Sequence, residues 1–176
     1  MALGNSPAAG QTSPLVMRII GAVALAHLIN DLIQSVLPSI YPMLKASYGL
    51  TFTQVGLITL TFQLTASLLQ PWVGYYTDRH PQPFLLPCGM VCTLVGIVMM
   101  SQVGSFALIL LAAALIGIGS STFHPEASRV ARLASGGRYG LAQSTFQVGG
   151  NAGSAFGPLL AAAIIIPFGQ GNVAWF

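Results

Sequence analysis

From Leu15 onward the chain is written as long apolar runs interrupted by short polar clusters. The stretches 46–77, 80–125 and 139–176 contain no Asp, Glu, Lys or Arg. About 20 helical residues cross the roughly 30 Å hydrocarbon core of a bilayer, so these runs hold one, two and one-plus crossings. Apolar positions within them do not alternate with period two, which excludes barrel strands and leaves helices to pair the backbone amides internally. The pattern predicts an all-α, multi-span helical membrane protein, with helices at about 15–44, 51–76, 84–102, 106–134 and 139–166 and the start of a sixth from 172. Pro38 and Pro42 bend or loosen the far end of the first helix. Tyr48-Gly49 marks the next turn, Thr51 is placed to cap the second helix, and residues 77–83 read as a tight polar turn. Residues 1–14, rich in Ala, Gly, Ser and Pro, read as a disordered cytoplasmic tail without the basic start and cleavage pattern of a signal peptide.

Composition strengthens this picture. Of 176 residues, 54% are hydrophobic and 5% charged, against about 25% charged in soluble domains. A soluble enzyme, a nucleic-acid binder and a disordered chain are all excluded, and the lipid bilayer is the first partner. The net charge of +3 is spread too thinly to make a basic face. Cys88 and Cys92 share one helix face, poor geometry for a disulfide and half of what a zinc site needs, so no metal or other cofactor is expected. Arg18, Arg79, Arg132 and Arg138, with Arg129 nearby, lie toward the side of the N-terminus, and only Lys45 marks the other side. The positive-inside rule therefore puts the N-terminus in the cytoplasm.

Polar residues inside the spans change the picture from a membrane protein to a membrane protein with a site. His27, Asn30, Asp31 and Gln34 follow the spacing i, i+3, i+4, i+7 and project from one face. An ionisable group near mid-bilayer costs at least about 2.5 kcal/mol on insertion scales, so this face must meet protein or water. It is either a hydrogen-bonded seam between helices or a cavity lining in which Asp31 binds a proton or another cation. In the fourth helix, His124-Pro125-Glu126 precedes Arg129. Glu126 and Arg129 can pair at i, i+3, as a structural ion pair or as a coupling pair, and Pro125 frees a carbonyl as in the broken helices of transporters. His124 and Glu126 point about 200° apart, and no HExxH-type metal motif is present. The fifth helix carries Gln143, Gln147 and Asn151 as further cavity candidates, together with a stripe of Gly149, Gly153 and Gly157 followed by Pro158 that permits close helix approach. No nucleophile stands at helical spacing from a base, so neither a catalytic residue nor an enzyme activity is expected. Phe52-Thr53-Gln54-Val55-Gly56 echoes Thr145-Phe146-Gln147-Val148-Gly149, and His27 echoes His124 at nearly the same offset, as in a repeat of three helices.

Gly74, Asp78 and Arg79, in the loop between the second and third helices, resemble the loop signature G-x-L-A-D-R-x-G-R-K of the major facilitator superfamily, with Pro81 and Gln82 in place of its Gly and basic residue. His27-Leu28-Ile29-Asn30-Asp31, Thr53-Gln54-Val55-Gly56, Phe123-His124-Pro125-Glu126-Ala127-Ser128-Arg129 and Phe146-Gln147-Val148-Gly149-Gly150-Asn151 look like the fosmidomycin-resistance branch of that superfamily. The resemblance implies proton-coupled antiport of a small drug-like compound such as fosmidomycin out across the cell inner membrane. Under it Asp31, Glu126 and Arg129 are proton-coupling candidates. Substrate-cavity candidates are His27, Asn30, Gln34, His124, Gln143, Gln147 and Asn151, while Gly74, Asp78 and Arg79 form a cytoplasmic gate. Members of the family have twelve helices in two halves, so residues 15–176 are expected to be the N-terminal half, partnered by a missing C-terminal half or a second copy. The alternative is a membrane assembly or regulatory subunit without transport of its own.

Overall fold

The computed structural model describes residues 14–176, so the expected tail lies outside the described residues except for Pro14. Five helices are long and apolar enough to cross a membrane: α1 (Met17–Ser39), α3 (Phe52–Arg79), α4 (Leu85–Gln102), α5 (Phe106–Leu133) and α6 (Tyr139–Phe168). Between the first two lies the short α2 (Tyr41–Tyr48), and a 3-10 helix, Gln170–Trp175, follows α6.

Several boundaries differ from the sequence reading, each for a local reason. The helix expected at 15–44 divides at Ile40, because Pro38 and Pro42 each lack an amide for the helical ladder. Pro42 then sits in the first turn of α2, where a missing N–H costs nothing. The loop expected from Lys45 is helical as far as Tyr48, and the chain turns at Gly49, whose φ of 61° is left-handed. The Leu50 amide closes that turn on the Lys45 carbonyl at 3.0 Å. Thr51 caps α3 reciprocally with Gln54, and the helix then runs through Asp78 to Arg79 instead of ending at 76. The guanidinium of Arg79 folds back to the Tyr75 carbonyl at 3.2 Å and lies over the Tyr75 ring, which satisfies the last turn. Asp78 and Arg79 are thus the end of a helix and not a loop. Where a sixth helix was expected from 172, the chain makes the tighter 3-10 turns.

Two of the spans contain a π-helical turn, Leu64–Leu68 in α3 and Ala161–Ile165 in α6. Opposite the first, a Cβ on Gly117 would meet Thr65 and the Phe62 carbonyl, so α5 approaches α3 backbone to backbone at the widened turn.

Helices in a bilayer gain little from burying apolar surface against one another, so they associate where small residues allow close packing. Gly89 and Gly96 of α4 face Gly119, Ala112 and Ile116 of α5. Gly149, Gly153 and Gly157 of α6 lie against the backbone or side chains of Ala24, Leu28, Leu32 and Ser35 of α1. α5 is the central helix, in contact with α1, α3, α4 and α6. The core divides into a larger cluster around Val36, Leu37, Ile97, Met100 and Ile116, a smaller one around Val23, Phe123, Ala127 and Phe146, and a third of Ile20, Ala134 and Ala142. Asp31 lies along α1 between Val23 of the smaller cluster and Ile33 of the larger, and His124 follows Phe123 of the smaller cluster on α5. α3 exposes Leu57, Leu60, Leu64, Leu68 and Trp72, an outward face suited to lipid or to another helix.

Candidate functional site

The polar stripe of α1 meets α5 and α6. Asp31 lies between two imidazoles: His27 Nε2 is 3.2 Å from Oδ2, and His124 Nε2 is 3.2 Å from Oδ1. The His27 pair is an i, i+4 pair on α1, whereas His124 comes from α5. His27 is buried, while the side chains of Asp31 and His124 remain 18% and 23% exposed, so the carboxylate can be reached from one side.

The other nitrogen of each ring determines its proton. His27 Nδ1 lies 2.8 Å from the Phe146 carbonyl of α6, and His124 Nδ1 lies 3.1 Å from the Ser120 carbonyl. A carbonyl can only accept, so in these two contacts Nδ1 donates and Nε2 is left facing the carboxylate, and His124 Nδ1 also lies 3.5 Å from the Asn30 amide nitrogen. A bare Nε2 lone pair would repel the Asp31 oxygens. While Nδ1 carries the ring proton, each Nε2–oxygen contact requires a cation, whether a second proton on the ring or something in its place.

Amides complete the surroundings. Asn30 Nδ2 and Gln34 Nε2 each donate to Asp31 Oδ1 at 3.2 Å, and Ser120 Oγ donates to Gln34 Oε1 at 3.0 Å. Asn30 Oδ1 is buried with no partner among the described residues. The Phe146 ring stacks on His27, with centroids 3.9 Å apart and planes 18° from parallel. A Cβ on Gly150 would press on His27 and come within 2.8 Å of Asp31 Oδ2. The absence of a side chain there is what lets α6 pass this close.

The second set of candidates lies apart from the first. Arg129 Nη2 and Nε donate to Glu126 Oε2 at 2.7 and 3.2 Å, and the Glu126 side chain is 1% exposed with Oε1 unpartnered among the described residues. Arg129 also lines a polar cavity of about 250 Å³ together with Gly74, Asp78, Ser128, Arg132 and Gln143. Gln143 Nε2 donates to Ser128 Oγ at 2.7 Å. A Cβ on Gly74 would stand 3.7 Å from the Pro125 side chain. Asp78 and Arg79 are exposed and enter no ion pair among the described residues.

The structure thus gathers His27, Asn30, Asp31, Gln34 and His124 into one cluster. Arg129, Gln143, Gly74 and Asp78 sit around a second, polar cavity, with Glu126 buried behind Arg129. Gln147 and Asn151 are exposed on α6 and join neither group, and Pro158 is exposed beyond the glycine stripe. Sequence reasoning missed Ser120 and Phe146. Ser120 stands four residues before His124 and was open to discovery by helical spacing. The role of Phe146 rests on its backbone carbonyl, which no side-chain pattern signals.

The chain matches the family described as Major Facilitator Superfamily over residues 23–176. It is 65% identical over 158 residues to the fosmidomycin resistance protein of Escherichia coli (strain K12), covering 90% of this chain and 39% of that protein. It is 45% identical over 161 residues to an uncharacterized MFS-type transporter, YfnC, of Bacillus subtilis (strain 168), covering 92% and 39%. The bacillibactin exporter of Bacillus subtilis is 32% identical over 114 residues, covering 62% and 28%. The chain therefore spans about two-fifths of the length of the first two relatives.

Proposed function

The chain belongs to the Major Facilitator Superfamily, and from that premise we propose that it forms the N-terminal bundle of a transporter that exports a small drug-like compound of the fosmidomycin class in exchange for protons. The compound class is taken from the name of the 65% identical relative. The site sits in the inner membrane with the N-terminus in the cytoplasm, as the arginine distribution favours. A second bundle, from a C-terminal half or a second copy, closes the other side of the substrate path.

The observation that carries the coupling reading is the Asp31 carboxylate held in a span between two imidazoles that each need a cation at Nε2. Protons entering or leaving this cluster change its charge by whole units in a low-dielectric setting, and a bilayer penalises any state whose charge is unpaired. One orientation of the bundle then favours the proton-loaded cluster and the other the proton-depleted one. Substrate binding need only shift that balance. Arg129, with the cavity it shares with Asp78 and Gln143, serves as a charge partner on the same path, and Glu126 holds the guanidinium in place.

Asp31→Asn in the full-length transporter tests this. In proteoliposomes with an imposed pH gradient, the variant is expected to lose gradient-driven substrate movement and the accompanying proton flux while retaining its helical content. Wild-type proton-driven transport by Asp31→Asn overturns the reading.

A further inference from the structure

We propose that His27, Asp31 and His124 form a binding site for a divalent first-row transition-metal ion of the zinc class. Geometry carries this assignment. One ligand atom from each residue can be chosen so that all three lie within 4.8 Å of one another. A tetrahedral ion with nitrogen and oxygen ligands at about 2.0–2.2 Å puts neighbouring ligands roughly 3.3 Å apart. Both Nε2–oxygen edges already measure 3.2 Å. The two edges end on different oxygens of the one carboxylate, so an ion is seated when the imidazoles close toward each other over a carboxylate that presents one or both oxygens.

The surroundings have the form expected around metal ligands. A ligating histidine nearly always donates its second ring N–H to a carbonyl or carboxylate, which presents the other nitrogen as a lone pair. Both histidines place Nδ1 to do so here, His27 at 2.8 Å from the Phe146 carbonyl and His124 at 3.1 Å from the Ser120 carbonyl, with the Asn30 amide nitrogen at 3.5 Å from the latter ring. The carboxylate is supported in the same way by the Asn30 and Gln34 amides at 3.2 Å. Two imidazoles and one carboxylate suit zinc, cobalt, nickel or ferrous iron and disfavour magnesium or calcium, which prefer all-oxygen sets. The partial exposure of Asp31 and His124 gives an ion access and leaves room for water as a further ligand. Cys88 and Cys92 take no part: they lie on α4, and neither thiol belongs to this cluster.

An ion seated here fills the gap between carboxylate and imidazoles that a proton would use. Zinc therefore inhibits export, a consequence that rests on the proton-coupled reading above, while the binding itself does not.

The test is zinc titration of the untagged full-length protein in nanodiscs by calorimetry, with cobalt absorption reporting the coordination geometry. One ion per chain is expected, with affinity falling more than about tenfold in His124→Ala and in Asp31→Asn and unchanged in Gly56→Ala, whose new methyl meets nothing within 4 Å. His124 is the histidine of choice because its partial exposure makes the variant tolerable to the fold. Substoichiometric binding, or binding unaffected by His124→Ala, overturns the site. Proton-driven export in chelator without any zinc binding removes this inference and leaves the transport reading standing. Tight zinc binding in a protein without proton-driven export does the reverse.

Discussion

Replacing Gly153 by alanine probes the seam that holds the site together. The change adds one methyl group to the face of α6 that lies on α1. That methyl would stand 2.9 Å from the Leu28 carbonyl carbon and 2.9 Å from the Leu32 nitrogen, with the Leu28 carbonyl oxygen closer still. Ordinary contact begins near 3.4 Å, and these neighbours are backbone, so no rotamer change relieves them. The two helices must part along their length. Overpacking of this kind costs about 1–3 kcal/mol, and a backbone neighbour places it toward the upper part of that range. Alanine returns about 1 kcal/mol of helix propensity, leaving a net loss of about 1–2 kcal/mol. Gly56→Ala in α3 is the matched control: nothing lies within 4 Å of the new methyl, so only the propensity gain of about 1 kcal/mol remains. Reversible unfolding in mixed micelles, followed by far-ultraviolet circular dichroism, should separate the two variants by about 2–3 kcal/mol with opposite signs relative to wild type. If Gly153→Ala equals or exceeds Gly56→Ala in stability, the close-packed seam is refuted.

Other substitutions isolate single interactions. Arg129→Leu leaves the buried Glu126 carboxylate without its partner, which should destabilise the bundle by about 3–5 kcal/mol, and a second change, Glu126→Gln, should recover most of it in the same unfolding assay. Thr51→Ala removes a reciprocal cap, so amide exchange at Gln54 should accelerate by the equivalent of about 1 kcal/mol while global unfolding changes little.

The number and order of spans were legible because charge-free runs longer than a bilayer crossing admit few alternatives. What happens inside a run was not. Pro38 and Pro42 both announced a disturbance, but only the structure shows that the chain turns at Ile40 and restarts as a separate helix. The π-helical turns at Leu64–Leu68 and Ala161–Ile165 left no trace, because an apolar run does not record which carbonyl each amide chooses. The end of α3 was misplaced because polar residues at 77–79 read as a loop. Arg79 instead satisfies the final turn with its own side chain and the Tyr75 ring.

The site shows the same boundary between local and long-range information. Helical spacing put His27, Asn30, Asp31 and Gln34 on one face, and it set His124 and Glu126 on opposite sides of their helix. Both statements concern one helix at a time. The Glu126–Arg129 pair follows from the i, i+3 spacing, but that His124 turns to Asp31 depends on how α5 crosses α1, which spacing does not contain. The two echoed histidines meet at a single carboxylate, so the weak internal repeat has a structural counterpart where the chemistry is densest.

The glycine stripe looked like packing alone, yet it cannot be separated from the site. Gly149 and Gly153 bring the α6 backbone onto α1 at Ala24 and Leu28, on either side of His27. Only at that separation does the Phe146 carbonyl reach His27 Nδ1 at 2.8 Å and fix which nitrogen faces Asp31. Gly150, one residue off the stripe, would drive a Cβ into His27 and Asp31 themselves. A displacement of α6 that lengthened the Phe146 contact beyond hydrogen-bonding distance would free the His27 ring to change tautomer, and its Nε2 could then donate to Asp31 without any added cation. Movement of α6 against α1 and cation occupancy at Asp31 are therefore linked through one backbone carbonyl, which is the kind of linkage that ion-driven transport requires.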